Sequence, residues 1–211
     1  MMILLGIGLF IASYLSVGYL FHLIIFPETR PDPERYFEPG DVFETRRGGN
    51  KLEVLSREGD NLQLKLTFNP NANGPPVHIQ TKWDEYYKIR SGELTLTMDG
   101  EEQKLGPGEE ITIPRGVPHK PSNPADEPVV CEVIMPAQFV VYLSQIYGFM
   151  DEDEKNAEPP RMIFQMALSN QYFDSYLGEG PPVWLQKILN FLLLPAARLM
   201  GYKSFYEKYR I

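Results

Sequence analysis

The chain has 211 residues, which allows one domain of ordinary size with attachments rather than two full domains. Its 20 Lys and Arg against 28 Asp and Glu give a formal charge of −8, excluding a phosphate-driven nucleic-acid binder, which needs a basic face. One cysteine, Cys131, excludes an intrachain disulfide and any multi-cysteine metal site, and it reads as a small buried hydrophobe.

The mean hydropathy of −0.26 has the look of a soluble globule, but it averages unlike parts. Residues 1–26 hold no Asp, Glu, Lys or Arg. As a helix they would be roughly 39 Å long, enough to cross a hydrocarbon core of about 30 Å with tilt. A cleaved signal peptide would need a basic start, a shorter apolar stretch and a small-residue cleavage site. The segment therefore reads as a transmembrane helix. Gly8, Ala12 and Ser16 share one face, where small side chains let a second helix approach, so a homo-oligomer packed through them is one expectation. His22 lies near the end of the span, where a neutral imidazole reaches interfacial water. Arg30, Arg35, Arg46 and Arg47 follow the span, and the positive-inside bias then places the body on the cytoplasmic face of a single-pass protein.

Residues 27–40 are rich in proline and charge and read as a linker. From residue 41 to 137 the pattern changes to short strands and tight turns. Leu62, Leu64, Leu66 and Phe68 alternate with polar residues, as do Leu94, Leu96 and Met98, and then Val129, Cys131, Val133 and Met135. Gly59-Asp60 and Asp99-Gly100 are two-residue hairpin signals. Eight to ten short strands at this spacing predict a mainly β sandwich or barrel.

Residues 138–181 form a helical extension interrupted by an acidic linker at 151–160, which nets −4. Residues 182–211 carry five cations against Glu207, a net of +4, leaving −12 on the rest. Within this segment Gln186, Asn190 and Arg198 fall on one helical face, among Trp184 and several leucines, with Pro195 as a kink. A narrow polar stripe and a basic tail describe an amphipathic helix in a membrane interface, where acidic lipid attracts it. A helix packed on the globular body is the alternative.

Two of the three histidines lie in the β region. His78 and Gln80 would face one side of a strand, Glu85 follows five residues later, and His119 arrives from a separate strand. Imidazole and carboxylate groups from two strands suit an Fe, Mn, Ni or Zn site, because no single strand can surround an ion.

The spacing resembles the cupin superfamily. Its second motif, G-x5-P-x-G-x2-H-x3-N, is matched by Gly108, Pro114, Gly116, His119 and Asn123. Its first, G-x5-H-x-H-x3,4-E-x6-G, is matched by His78, Glu85 and Gly92; Gly74 lies two residues too close to His78, and Gln80 replaces the second histidine. The resemblance implies a small antiparallel β-barrel or jelly roll over residues 41–137. It also implies a divalent transition metal on His78, Glu85 and His119, with Gln80 as fourth ligand or as a hydrogen-bond donor to bound substrate or O2. Two functions follow from it. One is a membrane-anchored, metal-dependent small-molecule enzyme, with an oxygenase as the expected class. The other is a non-catalytic ligand-binding or scaffold module without metal.

Overall fold

The computed structural model describes residues 2–25, 27, 31–47 and 49–210. Met1, Phe26, Arg30 and the side chain of His22 lie outside the described part, so the expectations placed on Arg30 and on the His22 imidazole are not addressed by it.

The first element is helix α1, Met2–Ile24. Among the described residues it is the one helix long and apolar enough to cross a membrane, and only 6% of its apolar window is buried inside the protein. After it, a single 3-10 turn, Pro33–Arg35, opens with the Asp32 carboxylate capping the Glu34 N–H. The proline-rich stretch is more than a tether, because Tyr36 and Phe37 are both buried in the core.

The β region builds two facing sheets. Strands β1 (Val42–Thr45), β2 (Asn50–Glu58), β3 (Asn61–Phe68), β4 (His78–Ile79) and β5 (Glu85–Ser91) come first. They are followed by β6 (Leu94–Met98), β7 (Glu101–Leu105), β8 (Glu110–Ile113), β9 (His119–Ser122) and β10 (Val129–Pro136). The six-stranded sheet runs β1-β2-β3-β10-β5-β8. The second sheet runs β4-β9-β6-β7 and gains a further strand at its β4 edge, β11 (Tyr176–Leu177), from far along the chain.

The register follows from side-chain alternation. Leu64 lies opposite Val133 and Leu66 opposite Cys131, so the apolar faces of β3 and β10 form one inner layer. Leu62, Leu64, Val133 and Cys131 are all completely buried, and Cys131 is an inert core residue whose thiol burial pushes up to about 12. The β6–β7 hairpin turns through Asp99 and Gly100, both with positive φ (51° and 84°), as a type I′ turn demands.

The remaining helices pack around this body. Helix α2 (Ala137–Glu152) folds back over the barrel and buries Phe139, Val140, Val141 and Ile146. The acidic stretch after it is ordered rather than free: Asp153 caps the Lys155 N–H, and Asn156 is buried with its amide on the Phe149 carbonyl. Helix α3 (Arg161–Ser169) and helix α4 (Val183–Leu199) meet through Leu168, Leu194 and Ala197.

Helix α4 turns its sides opposite to a surface-lying helix whose polar stripe meets water. Gln186 and Arg198 of the polar stripe are buried, Gln186 bonding both the Leu177 backbone and the Pro181 carbonyl. Trp184, Ile188 and Phe191 face outward. Its other contact is with α1, where Gly18 lies so close to Pro195 that an added Cβ would stand 2.2 Å from the proline Cβ. Pro195 cannot donate a backbone hydrogen bond and its ring disturbs the preceding turn. The Tyr14 hydroxyl fills the resulting break, donating to the Leu192 carbonyl (3.0 Å) and accepting from the Ala196 N–H (3.1 Å). Gly8, Ala12 and Ser16 remain exposed on α1, and a Cβ added at Gly8 would meet nothing within 4 Å.

Candidate metal centre

The site forms where the two sheets meet. His78 and His119 are direct register partners on antiparallel β4 and β9, and their rings lie 4.4 Å apart. Glu85 enters from the opposite sheet at the start of β5, paired with Ile113. One ligand atom from each of His78, Glu85 and His119 lies within 4.8 Å of the others.

Local backbone chemistry explains why these strands present these groups. The turn before β9 closes through Val117 N–H to the Pro114 carbonyl and uses a positive φ at Gly116, whose N–H also reaches back to the Gln80 carbonyl. Gly74 is required despite its shifted position: an added Cβ would stand 1.9 Å from the Pro121 carbonyl oxygen. Asn123 is a clamp rather than a ligand. Its amide donates to the Phe68, Asn69 and Glu127 carbonyls, and its oxygen accepts from the Ala125 N–H.

Each histidine has its Nδ1 set against a backbone carbonyl. His78 Nδ1 lies 3.0 Å from the Pro76 carbonyl and His119 Nδ1 lies 2.9 Å from the Val117 carbonyl. A carbonyl can only accept, so both Nδ1 atoms carry a proton, and in the neutral rings Nε2 is the atom left to ligate. His119 Nε2 is buried with no hydrogen-bond partner, 3.4 Å from Glu85 Oε2. A buried imidazole nitrogen this close to a carboxylate is an arrangement that a cation completes, whether a proton on His119 or a metal ion.

Glu85 is 1% exposed and held from both sides. Gln80 Nε2 donates to Glu85 Oε1, and the Tyr87 hydroxyl donates to Oε2 at 3.0 Å. Gln80 is thus a hydrogen-bond donor to the carboxylate in this arrangement, and the cluster of three is His78, Glu85 and His119. Burial works to raise the Glu85 pKa, but His119, His78 and Tyr87 outweigh it and hold the carboxyl below its usual value. Burial also disfavours the His119 cation, yet Glu85 overcomes this and lifts its pKa. His78 is dominated by burial, which pushes it down to about 4, so it stays a neutral donor. Tyr87 was not singled out from the sequence; lying two residues from Glu85 on one strand face is the signal that marks it.

Residues 64–135 match the family model described as Cupin_2, Cupin domain, and this supports placing the barrel in the cupin superfamily. The chain is 28% identical over 154 residues to "Probable oxidoreductase virH" of Hypocrea virens, covering 65% of this chain and 68% of that protein. It is 32% identical over 87 residues to "Oxidoreductase iacF" of Pestalotiopsis fici, covering 37% of this chain and 43% of that relative. Among solved structures it is similar to an RmlC-like cupin from Shewanella frigidimarina, with 19% identity and a TM-score of 0.40, over 52% of this chain and 91% of the other.

Proposed function

We propose that the chain is a membrane-attached, metal-dependent cupin oxidoreductase acting on a small molecule, with an oxygenase as its reaction class. The observation that carries the metal is the unpartnered His119 Nε2 set against Glu85 and His78. Two histidines and one carboxylate are the donor set that suits ferrous iron, with Mn, Ni and Zn as alternatives. When bound there, such a metal supplies a Lewis-acidic, redox-capable centre with open positions. The chain's own groups do the rest. Gln80 and Tyr87 fix the carboxylate's orientation, the two backbone carbonyls fix the imidazole tautomers, and His78 is the least buried of the three ligands. The oxidoreductase names of two relatives favour redox chemistry over a binding module.

Membrane attachment is part of the same reading. It is supported by the exposed apolar surface of α1 and the outward apolar face of α4, and a lipid bilayer is the partner that suits both.

Elemental analysis of the detergent-purified full chain tests the metal. Close to one equivalent is expected after metal-replete expression, falling below about a tenth in a folded His119→Ala variant. Less than about a tenth in the folded wild type would instead leave a ligand-binding module.

A further inference from the structure

We propose that the crossing of α1 and α4 is a binding site for the acidic headgroup of a membrane lipid, with the Arg198 guanidinium as its donor. The inference rests on the membrane reading above. Arg198 is 4% exposed, and its Nε and Nη1 are buried without any hydrogen-bond partner. An unpaired buried cation is among the costlier things a fold can hold. Its position in the last turn of α4 explains why a cation is favoured there, since the helix dipole is negative at that end. The dipole does not satisfy two N–H groups; an anion does.

The surroundings select the kind of anion. The ring of Tyr19 on α1 lies over the guanidinium, at 5.1 Å from its centroid, and Tyr19 is itself 58% exposed. Tyr19 lies five residues before the end of α1 at Ile24, about 7.5 Å along the axis, in the C-terminal third of the helix. Outward-facing Leu20 and Leu23 on α1 and Leu199 and Met200 on α4 supply apolar surface in the same turns for acyl chains. A planar guanidinium fork matches a phosphate bidentately, which a lysine ammonium cannot do.

The test compares retention of phosphatidylglycerol with phosphatidylcholine by the full chain after detergent washing in high salt, which screens surface charge but not a buried contact. The wild type should prefer phosphatidylglycerol by about tenfold, and Arg198→Gln should lose that preference while still associating with phosphatidylcholine vesicles. Arg198→Lys should keep the charge but recover only a small part of the preference. An equal high-salt preference in Arg198→Gln, or displacement of phosphatidylglycerol by inorganic phosphate, would overturn the proposal. If Arg198→Gln does not fold, Arg198→Lys decides, because full preference in that variant rules out the fork. Failure of the wild type to associate with any vesicle would refute the membrane reading instead.

Discussion

Gln80 stands where the resembled motif has a histidine, and its amide is spent on Glu85 rather than left to face an ion alone. Gln80→Ala should therefore weaken metal binding by about 10- to 100-fold while leaving the barrel folded, as loss of a group orienting a ligand does. Competition with a chromophoric chelator measures this. The pH response has two opposed parts. A metal must displace the proton from His119, whose pKa is raised, so affinity should fall by about tenfold per unit as pH drops below that value. In the metal-free protein the raised His119 pKa adds stability that is fully present below the unfolded value of about 6.5 and is lost as pH rises through the folded value. Glu85, with its pKa lowered, adds stability that is lost as pH falls through its folded value. Stability of the chelated protein, read by chemical denaturation, should thus fall on both flanks, with the acid flank also carrying the loss from His78, whose folded pKa of about 4 lies below its unfolded value. The positions of His78, Glu85 and His119 were legible from motif spacing. The role of Gln80 was not, because whether an amide offers its oxygen or its nitrogen depends on which neighbour packs against it.

At the scale of elements, the strands were legible wherever one face is buried, since alternation is imposed by the pleat itself. Gly74 shows a different kind of constraint. Its φ of 65° and the nearby Pro121 carbonyl leave no room for a side chain, so Gly74→Ala should cost at least about 2 kcal/mol by thermal or chemical melt. Helix α4 was legible as an amphipathic helix, but not the direction of its faces. Its buried Gln186 is satisfied by the Leu177 backbone, a partner nine residues back that only folding brings alongside. The Tyr14 hydroxyl at the Pro195 break is likewise invisible in a sequence pattern, because it joins residues 178 and 182 apart in the chain. Tyr14→Phe should leave the Leu192 carbonyl and the Ala196 N–H unpaired and weaken the α1–α4 contact by about 1–3 kcal/mol, read as a lower midpoint for dissociation of a cross-linkable α1–α4 pair in detergent.

The whole molecule is a barrel with its C-terminal extension wrapped around it. Strand β11 pairs with β4, placing Leu177 opposite His78 and tying the arm that leads into α4 to the strand that carries a candidate ligand. The two tryptophans report on this arrangement. Trp184 is 63% exposed on α4, whereas Trp83 packs against Phe139 at 4.9 Å. In vesicles containing brominated acyl chains, Trp184 emission should be quenched and Trp83 emission spared, as single Trp→Phe variants will show. Quenching of neither would refute lipid contact at α4. The amino-acid sequence by itself determined the uncharged apolar helix, the alternating strands, the hairpin at Asp99-Gly100 and the spacing of three candidate ligands, because each is set by residues close together in the chain. Tertiary structure alone decided that Glu85 accepts from Gln80 and Tyr87, that α4 turns its polar side inward, and that β11 completes the second sheet. Those outcomes depend on which buried polar groups meet across the closed fold, and burial forces each to find a partner wherever packing supplies one.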